Sequence, residues 1–322
     1  MKPITLAAAC TLIASSIVTV SAQSNYPERN IRLIYGFPPG ADTVTRIYAD
    51  KLAETFGKPI VVENVTGAAG NIAADRVAKA PSDGYTIGIL TGANVTMNAI
   101  LYKKLPYDPE TDFIPVTQMF GYPNLLLVNN ELPAKTVQDL VALARAQPGK
   151  LTYGHVGAGS TTHLAAELFK YMARIDIQDV PYRGPPAIAT DMMSGRITMT
   201  FGPPGPLLPL VREQKIRALA VTSPARAPFA PDIPTMEESG FNGFDMTVWF
   251  GLFVPAKTPP FIVERLNSET VKIMNSPEVR TRVIDLGNVP LTNTPAEFAE
   301  IIKREKPFWA RVIKEAGVKQ IE

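Results

Sequence analysis

The chain has 322 residues, of which 46% are hydrophobic and 19% are charged, so it can bury a substantial core and is not disordered as a whole. Lysine and arginine number 32 against 30 aspartates and glutamates, without a run of like charge, which disfavours a nucleic-acid partner. One cysteine and two histidines exclude a disulfide framework and leave little material for a metal site. At about 150 residues per domain, the length predicts two domains.

The N-terminal segment, residues 1–22, is typical of a secretory signal peptide. A basic start at Lys2 precedes an uncharged apolar run over residues 4–20, and small residues up to Ala22 form a cleavage signal. Cleavage after Ala22 removes the single cysteine, Cys10, and we expect the mature chain to be exported to the periplasm. No later stretch has the about 18 consecutive apolar residues of a membrane span.

Short apolar runs alternate with helix-patterned segments in the first part of the mature chain. The pattern predicts strands over residues 31–35, 60–62 and 85–90, with helices over residues 44–56 and 67–77 between them. Strand–helix alternation at this spacing is typical of βαβ units, so we expect an α/β fold with a mainly parallel sheet.

The same alternation begins again after Pro133, which predicts a second α/β unit over residues 126–245. In this unit we predict helices over residues 137–146, 164–172 and 187–193, and strands over residues 151–154, 177–180, 197–201 and 216–222. The tail is predicted to be helical, because residues 276–278 and 294–297 carry helix N-cap signatures. Pro307 is expected to kink or interrupt the last helix.

Few side chains are placed to carry out catalysis. Ser160 lies in the string GAGST rather than in the GxSxG of a nucleophile elbow, and nothing in the sequence points to an acid that would orient His155 or His163. The same string does not complete a dinucleotide fingerprint, because Thr162 stands where a glycine is needed. We therefore predict a binding protein without cofactor or metal, rather than an enzyme.

Three loops at predicted strand ends offer neutral hydrogen-bond donors. Residues 157–163 open a helix for which Ser160 or Thr161 is the expected N-cap, and two glycines there let the backbone approach a ligand closely. Residues 40–43, with Asp42 or Thr43 as cap, and residues 91–94 occupy equivalent positions. Taken alone, the loop over residues 157–163 is better explained as an ordinary helix cap without a ligand, and the other two loops change that balance. Together they predict a cleft that captures a small anion, as in an exported solute-binding protein.

A series of short strings occurs in a fixed order along the mature chain. It includes FPPG at residues 37–40, DGYT at 83–86, GAGS at 157–160, PYRG at 181–184 and WFGL at 249–252. In this order and spacing, the sequence resembles the substrate-binding proteins of tripartite tricarboxylate transporters, the family also called Bug receptors.

The resemblance implies a two-lobe periplasmic-binding-protein fold, type II-like, with the second lobe inserted into the first. On this interpretation residues 23–125 begin lobe 1, residues 126–245 form lobe 2, and residues 246–322 return to lobe 1 with the C-terminal helices. The resemblance further implies that the protein binds a small carboxylated compound and delivers it to a membrane permease pair. We also expect the protein to be a monomer.

In the family, one ligand carboxylate is held by main-chain amides, hydroxyls and bridging waters from two loops, here residues 37–43 and 157–162. The first loop is two residues shorter than the Gly-Gly-x-Thr-Asp pattern usual in the family, so some glycine amides are missing. Together with the other strand-end loops, this identifies as candidate ligand-binding residues Phe37, Pro39, Gly40, Asp42, Thr43, Thr91, Asn94, Ala158, Gly159, Ser160, Thr161, Thr162 and Arg183.

Several assignments stay open at this point. Arg183 has two equal interpretations, a contact to a second ligand carboxylate or a surface or inter-lobe ion pair. For Trp249 and Phe250 we expect hinge packing rather than ligand stacking, and for His163 a role as cap partner rather than base. Two other functions remain alternatives: a ligand-sensing protein that signals to a membrane kinase, and a hydrolase or lyase that acts on a small acid.

Overall fold

The computed structural model describes residues 25–315, 317, 318 and 320, and the predicted signal peptide with Cys10 lies outside these residues. In chain order the strands are β1 (Ile31–Tyr35), β2 (Ile60–Asn64), β3 (Thr86–Thr91), β4 (Phe113–Pro123), β5 (Leu125–Asn129), β6 (Thr152–His155), β7 (Gln178–Pro181), β8 (Met199–Gly202), β9 (Ile216–Val221), β10 (Thr247–Pro255) and β11 (Val289–Pro290).

The helices are α1 (Thr43–Phe56), α2 (Asn71–Ala78), α3 (Asn98–Leu101), α4 (Val137–Ala146), α5 (Thr161–Ala173), α6 (Pro185–Met193), α7 (Pro204–Arg212), α8 (Pro260–Asn275), α9 (Pro277–Asp285) and α10 (Pro295–Glu315). A 3-10 turn over Ala68–Gly70 precedes α2, and a π-helical turn over Ala93–Met97 precedes α3. Within the described residues, no helix combines the length and the apolar character that crossing a membrane requires.

The first sheet has six strands in the order β11-β4-β10-β3-β1-β2. β1 pairs in parallel with β2 and β3, whereas β10 runs antiparallel to β3 and β4. Leu33, Ile87 and Leu252 are buried in one core with residues of α1 and α8. All six residues of β3 are buried, as expected for a strand that is covered on both faces.

The second sheet has five strands in the order β7-β6-β8-β5-β9. β6 is parallel to β7 and β8, while β5 is antiparallel to β8 and β9. Leu126, Phe169 and Phe201 belong to its core. All five strands come from the part of the chain between β4 and β10, so the second lobe is inserted into the first.

Two neighbouring segments connect the lobes. Asn124 alone separates β4 from β5; its amide donates to Thr222 Oγ1 (2.8 Å), and its carbonyl accepts from the Thr222 amide (3.0 Å). Thr222 Oγ1 in turn lies 3.2 Å from the Met246 carbonyl, just before β10. These bonds hold the outgoing and returning segments side by side.

The last helix differs from two expectations. α10 continues through Pro307 without interruption; Pro307 is exposed, so water can satisfy the carbonyl that its missing N–H leaves unbonded. The helix also does not belong to the first lobe alone. Phe298 packs in a first-lobe core, whereas Trp309 and Ile313 join the core of the second lobe.

Candidate functional site

A cavity of about 440 Å³ lies between the two lobes. Its walls come from the loop after β1, the segment after β3, the loop between β6 and α5, the start of β10, and α10. Of the residues predicted from sequence, those that line the cavity are Phe37, Thr91, Ala158, Gly159, Ser160 and Thr161.

The loop between β6 and α5 presents the first turn of a helix to the cavity. Ser160 is the N-cap, as predicted: its Oγ accepts a hydrogen bond from the His163 amide (3.3 Å) and lies 2.6 Å from the Gly157 carbonyl, to which it donates. The Ser160 hydroxyl is therefore occupied by hydrogen bonds to its own loop and helix. The amides of Ala158, Thr161 and Thr162 and the Thr161 hydroxyl have no partner among the described residues. These four donors lie where the helix dipole is positive.

The two histidines support this loop as hydrogen-bond acceptors. Nδ1 of His155 accepts from the Gly157 amide (3.1 Å), and Nδ1 of His163 faces the Gly159 amide at 3.4 Å. The ring centroids lie 4.7 Å apart. Burial, together with the neighbouring His155, lowers the pKa of His163, which keeps its ring neutral and able to accept. This geometry agrees with a supporting role for His163 rather than that of a base.

The structure predicts different effects for two adjacent hydroxyls. Ser160→Ala removes a helix cap and should lower the free energy of unfolding by about 1 kcal/mol, with less than about a threefold change in affinity for a carboxylate such as hexanoate. Thr161→Val removes a free donor and should weaken hexanoate binding about tenfold. Thermal melts measure the change in stability, and calorimetry measures the change in affinity.

Thr136→Ala, which removes the cap of α4 outside the cavity, is the control for a purely structural loss. If Ser160→Ala weakened hexanoate binding and Thr161→Val did not, the assignment of Ser160 as helix cap and of Thr161 as ligand donor would be contradicted.

The Asp42 carboxylate stabilises the loop after β1 and does not line the cavity. Asp42 is only 2% exposed and lies 2.7 Å from an Arg46 nitrogen; it accepts from Asn64 Nδ2 (3.1 Å) and the Gly40 amide (2.9 Å). Burial opposes ionisation, but these hydrogen bonds hold the pKa of Asp42 below its ordinary value. Asp42 stands at the N-cap position of α1, yet its side chain makes no cap hydrogen bond.

Other predicted residues lie outside the cavity wall. Gly40 and Thr43 line a neighbouring cavity of about 360 Å³, while Pro39 and Arg183 are exposed and line neither. Thr162 is buried behind the wall, with its Oγ1 accepting from the Val156 amide (3.1 Å).

A buried amide network holds the segment after β3. Asn94 Oδ1 accepts from the Thr91 amide (3.1 Å) and hydroxyl (2.8 Å), so Asn94 supports the wall without lining it. Asn71 Oδ1 accepts from Asn94 Nδ2 (3.1 Å), Asn98 Nδ2 (2.6 Å) and the Tyr107 hydroxyl (2.8 Å). One buried carbonyl oxygen thus fixes the position of the π-helical turn.

Aromatic residues that sequence reasoning did not select form much of the wall. Tyr35, Tyr102, Tyr122 and Trp309 line the cavity, as do Trp249 and Phe250, for which only hinge packing was expected. Trp249 and Phe250 are indeed buried, and Phe250 stacks on Phe120 with ring centroids 4.7 Å apart. The Trp249 indole lies against Gly92, where a Cβ would come within 2.8 Å of the ring.

The cavity has little charge. Among the lining residues, all of them in the described part of the chain, there is no lysine or arginine, and Glu305 is the only carboxylate. Both Glu305 oxygens accept from Trp249 Nε1, at 2.9 and 3.0 Å. Burial raises the pKa of Glu305 to about 7. No group of three or more potential metal ligands occurs in the described residues. The arrangement can therefore bind an anion only through amides, hydroxyls and indole N–H groups.

Comparisons with known proteins agree with this architecture. The family described as the tripartite tricarboxylate transporter family receptor matches residues 44–318. Protein BugT of Bordetella pertussis is 31% identical over 311 residues, covering 96% of this chain and 95% of BugT. The structure of R. palustris Rpa4515 with adipate has a TM-score of 0.80 and 36% identity, covering 92% of this chain and 100% of that chain. MatC from Rhodopseudomonas palustris with bound malate has a TM-score of 0.74 and 31% identity, covering 89% and 100%.

The family match extends over most of the chain, and the two solved structures share its α/β two-lobe fold. The resemblance inferred from the short sequence strings is therefore confirmed. The family consists of solute-binding receptors rather than enzymes, in agreement with a site rich in donors and poor in titratable groups. The chain belongs to the receptor family of tripartite tricarboxylate transporters, the Bug family of periplasmic solute-binding proteins.

Proposed function

We propose that this protein is exported to the periplasm by its N-terminal signal peptide, binds a small carboxylate between its lobes as a monomer, and delivers it to a permease pair of the tripartite tricarboxylate type. Residues 23–125 and 246–322 are assigned to lobe 1 and residues 126–245 to lobe 2, with the end of α10 packing across onto lobe 2. The proposal carries over to this chain what its relatives indicate, since Rpa4515 and MatC were solved with adipate and malate.

One observation carries the carboxylate assignment. In the part of the chain that the structure describes, the amides of Ala158 and Thr161 and the Thr161 hydroxyl have no hydrogen-bond partner, and both residues line the cavity, which has no basic side chain in its wall. Backbone amides at a helix N-terminus are a preferred environment for an anion. We place one ligand carboxylate against these donors, with Phe37 and Thr91 on the opposite lobe contacting the rest of the ligand.

A matched pair of six-carbon compounds tests this proposal. Hexanoate, at about 100 times its dissociation constant, should stabilise the protein by about 2.7 kcal/mol, because it binds only the folded state. Hexanamide has the same shape without the negative charge and should leave the melting temperature unchanged. Differential scanning calorimetry measures both shifts.

The same experiment separates receptor from enzyme. Hexanoate should be recovered unchanged after prolonged incubation with the protein. A failure of every tested carboxylate to shift the melting temperature would contradict the proposed site, and consumption of the compound in proportion to protein concentration would contradict the proposed function.

A further inference from the structure

The first lobe contributes a cluster of aromatic rings to the ligand cavity. The rings are in contact with one another and belong to Tyr35, Phe37, Phe120, Tyr122 and Phe250. They come from the end of β1, the loop after β1, β4 and β10, and these three strands all belong to the first sheet. All of the rings except Phe120 line the cavity. The wall that the first lobe supplies is therefore largely aromatic.

Phe250 is the centre of this aromatic cluster. Phe37 meets it edge to face, with ring centroids 6.0 Å apart and ring planes at 70°. Tyr35 and Tyr122 are tilted against it at centroid distances of 6.2 and 6.3 Å. Aromatic rings prefer such tilted and edge-to-face contacts because the positive edge of one ring faces the negative face of the next. The cluster is thus an array of rings in their preferred geometry.

The array is incomplete on the side of the cavity. Tyr35 and Phe250 are buried, whereas Phe37 and Tyr122 are each half-buried and each line the cavity. Part of each of these two rings is therefore not covered by protein there. A flat ring that enters the cavity can extend the array with the same edge-to-face geometry, which a saturated ring cannot do because it has no charged face and edge.

The aromatic cluster offers no charge to a ligand. It contains no acidic or basic side chain, and burial raises the pKa of Tyr122 to about 12, so its phenol is neutral. The Tyr35 hydroxyl already donates to the Ala41 carbonyl (2.9 Å). The part of a ligand that lies against the cluster is therefore expected to be uncharged.

We propose that the ligand is a carboxylate carried on an aromatic ring. Its carboxylate binds the free donors of Ala158 and Thr161 on the second lobe, and its ring packs against Phe37 and Tyr122 on the first lobe. This inference rests on the proposed function and names the ligand class for the same cavity. The cavity, at about 440 Å³, is within the range of roughly 300–1,000 Å³ that is usual for small-molecule sites.

Benzoate and cyclohexanecarboxylate are the matched pair that tests this proposal. They have the same number of carbon atoms, and both are ionised at neutral pH. The saturated ring is the more apolar of the two, so a wall that only excludes water binds it at least as tightly. An aromatic wall should instead bind benzoate about fivefold more tightly in calorimetry. Benzamide, which has the ring without the negative charge, should bind far more weakly than benzoate.

Substitutions in the wall assign the preference to the two rings. Phe37→Leu keeps an apolar side chain and removes the ring, so the affinity ratio of benzoate to cyclohexanecarboxylate should fall below about twofold. Cyclohexanecarboxylate itself should change less than threefold. The ratio should also be lower in Tyr122→Leu than in Tyr122→Phe, because only the phenylalanine keeps the ring. Phe261→Leu, at an exposed phenylalanine of α8 outside the cavity, is the matched control and should keep the wild-type ratio.

The outcomes separate this inference from the proposed function. If neither benzoate, cyclohexanecarboxylate nor hexanoate binds, the carboxylate site itself is wrong. If cyclohexanecarboxylate binds as tightly as benzoate or more tightly, the carboxylate site stands and the preference for an aromatic ring is wrong. A wild-type ratio in both Phe37→Leu and Tyr122→Leu, each shown to be folded by a thermal melt, would also overturn the inference.

Discussion

Replacing Ala158 by tryptophan is expected to weaken hexanoate binding by more than about a hundredfold while the protein remains folded. Ala158 lies in the wall of the ligand cavity and its small side chain is exposed, so a large ring there occupies space that the ligand needs without displacing a buried core. A hundredfold loss corresponds to about 2.8 kcal/mol, which the loss of several ligand contacts can supply. Calorimetry measures the affinity and a thermal melt verifies the fold.

The matched control for this variant is Ala187→Trp. Ala187 is exposed on α6, in the same lobe, and does not line the cavity, so its replacement should leave hexanoate affinity unchanged. A bulky substitution of Gly159 would be a poorer test, because Gly159 has φ of 77° and a β-branched residue there would strain the backbone. Wild-type affinity in folded Ala158→Trp would show that the carboxylate binds elsewhere.

Replacing Asn71 by alanine is expected to lower the free energy of unfolding by about 3 kcal/mol, the largest stability loss among these variants. The substitution removes one buried oxygen that accepts from Asn94, Asn98 and Tyr107. The Asn98 amide loses its acceptor at 2.6 Å, whereas Asn94 and Tyr107 each keep one backbone acceptor. The melting temperature should fall by roughly 5–10 °C.

The Asn71→Ala substitution should also weaken ligand binding. The network holds the segment from β3 to α3, which contributes Thr91, Gly92 and Asn98 to the cavity wall, so hexanoate affinity should fall together with stability. Asn275→Ala is the control, because Asn275 is an exposed asparagine of α8 that also donates hydrogen bonds, and its loss should cost less than about 1 kcal/mol. Equal melting temperatures for Asn71→Ala and the wild-type protein would contradict the importance of the network.

Local chemistry was enough to predict most helix and strand positions. The end of α1 follows from Gly57, which adopts φ of 63° as its C-cap, and the start of α4 follows from the capping box of Thr136 and Asp139. Thr294 and Glu297 form the predicted capping box before α10 through their hydrogen bonds to each other. Each of these helix-end signals involves residues within four positions of each other in the chain, so it specifies a helix end independently of the tertiary structure.

Elements that depend on long-range packing were missed. β4 and β5 were missed partly because only Asn124 separates them. β4 lies between β11 and β10 in the first sheet and is buried along most of its length, so its sequence shows no alternation of apolar and polar residues, and it contains prolines. α7 carries three prolines, two of which lie in its first turn where they break no hydrogen bond. Burial of Leu207 and Leu208 in the second-lobe core stabilises α7, and the sequence pattern does not predict this contact.

The sequence by itself determined the family, the α/β class and the loop of Ala158 to Thr161 that lines the cavity, because strand ends and helix caps depend on residues close together in the chain. Only the tertiary structure decided that Glu305 and Trp309, far along the chain, join this cavity. An amphipathic helix pattern shows which face of α10 is buried, but it does not show whether that face meets a solid core or a ligand space. Whether that face meets a core or a ligand is decided by the path of α10 from one lobe to the other, which brings the Glu305 carboxylate and the Trp309 indole to the cavity between the lobes.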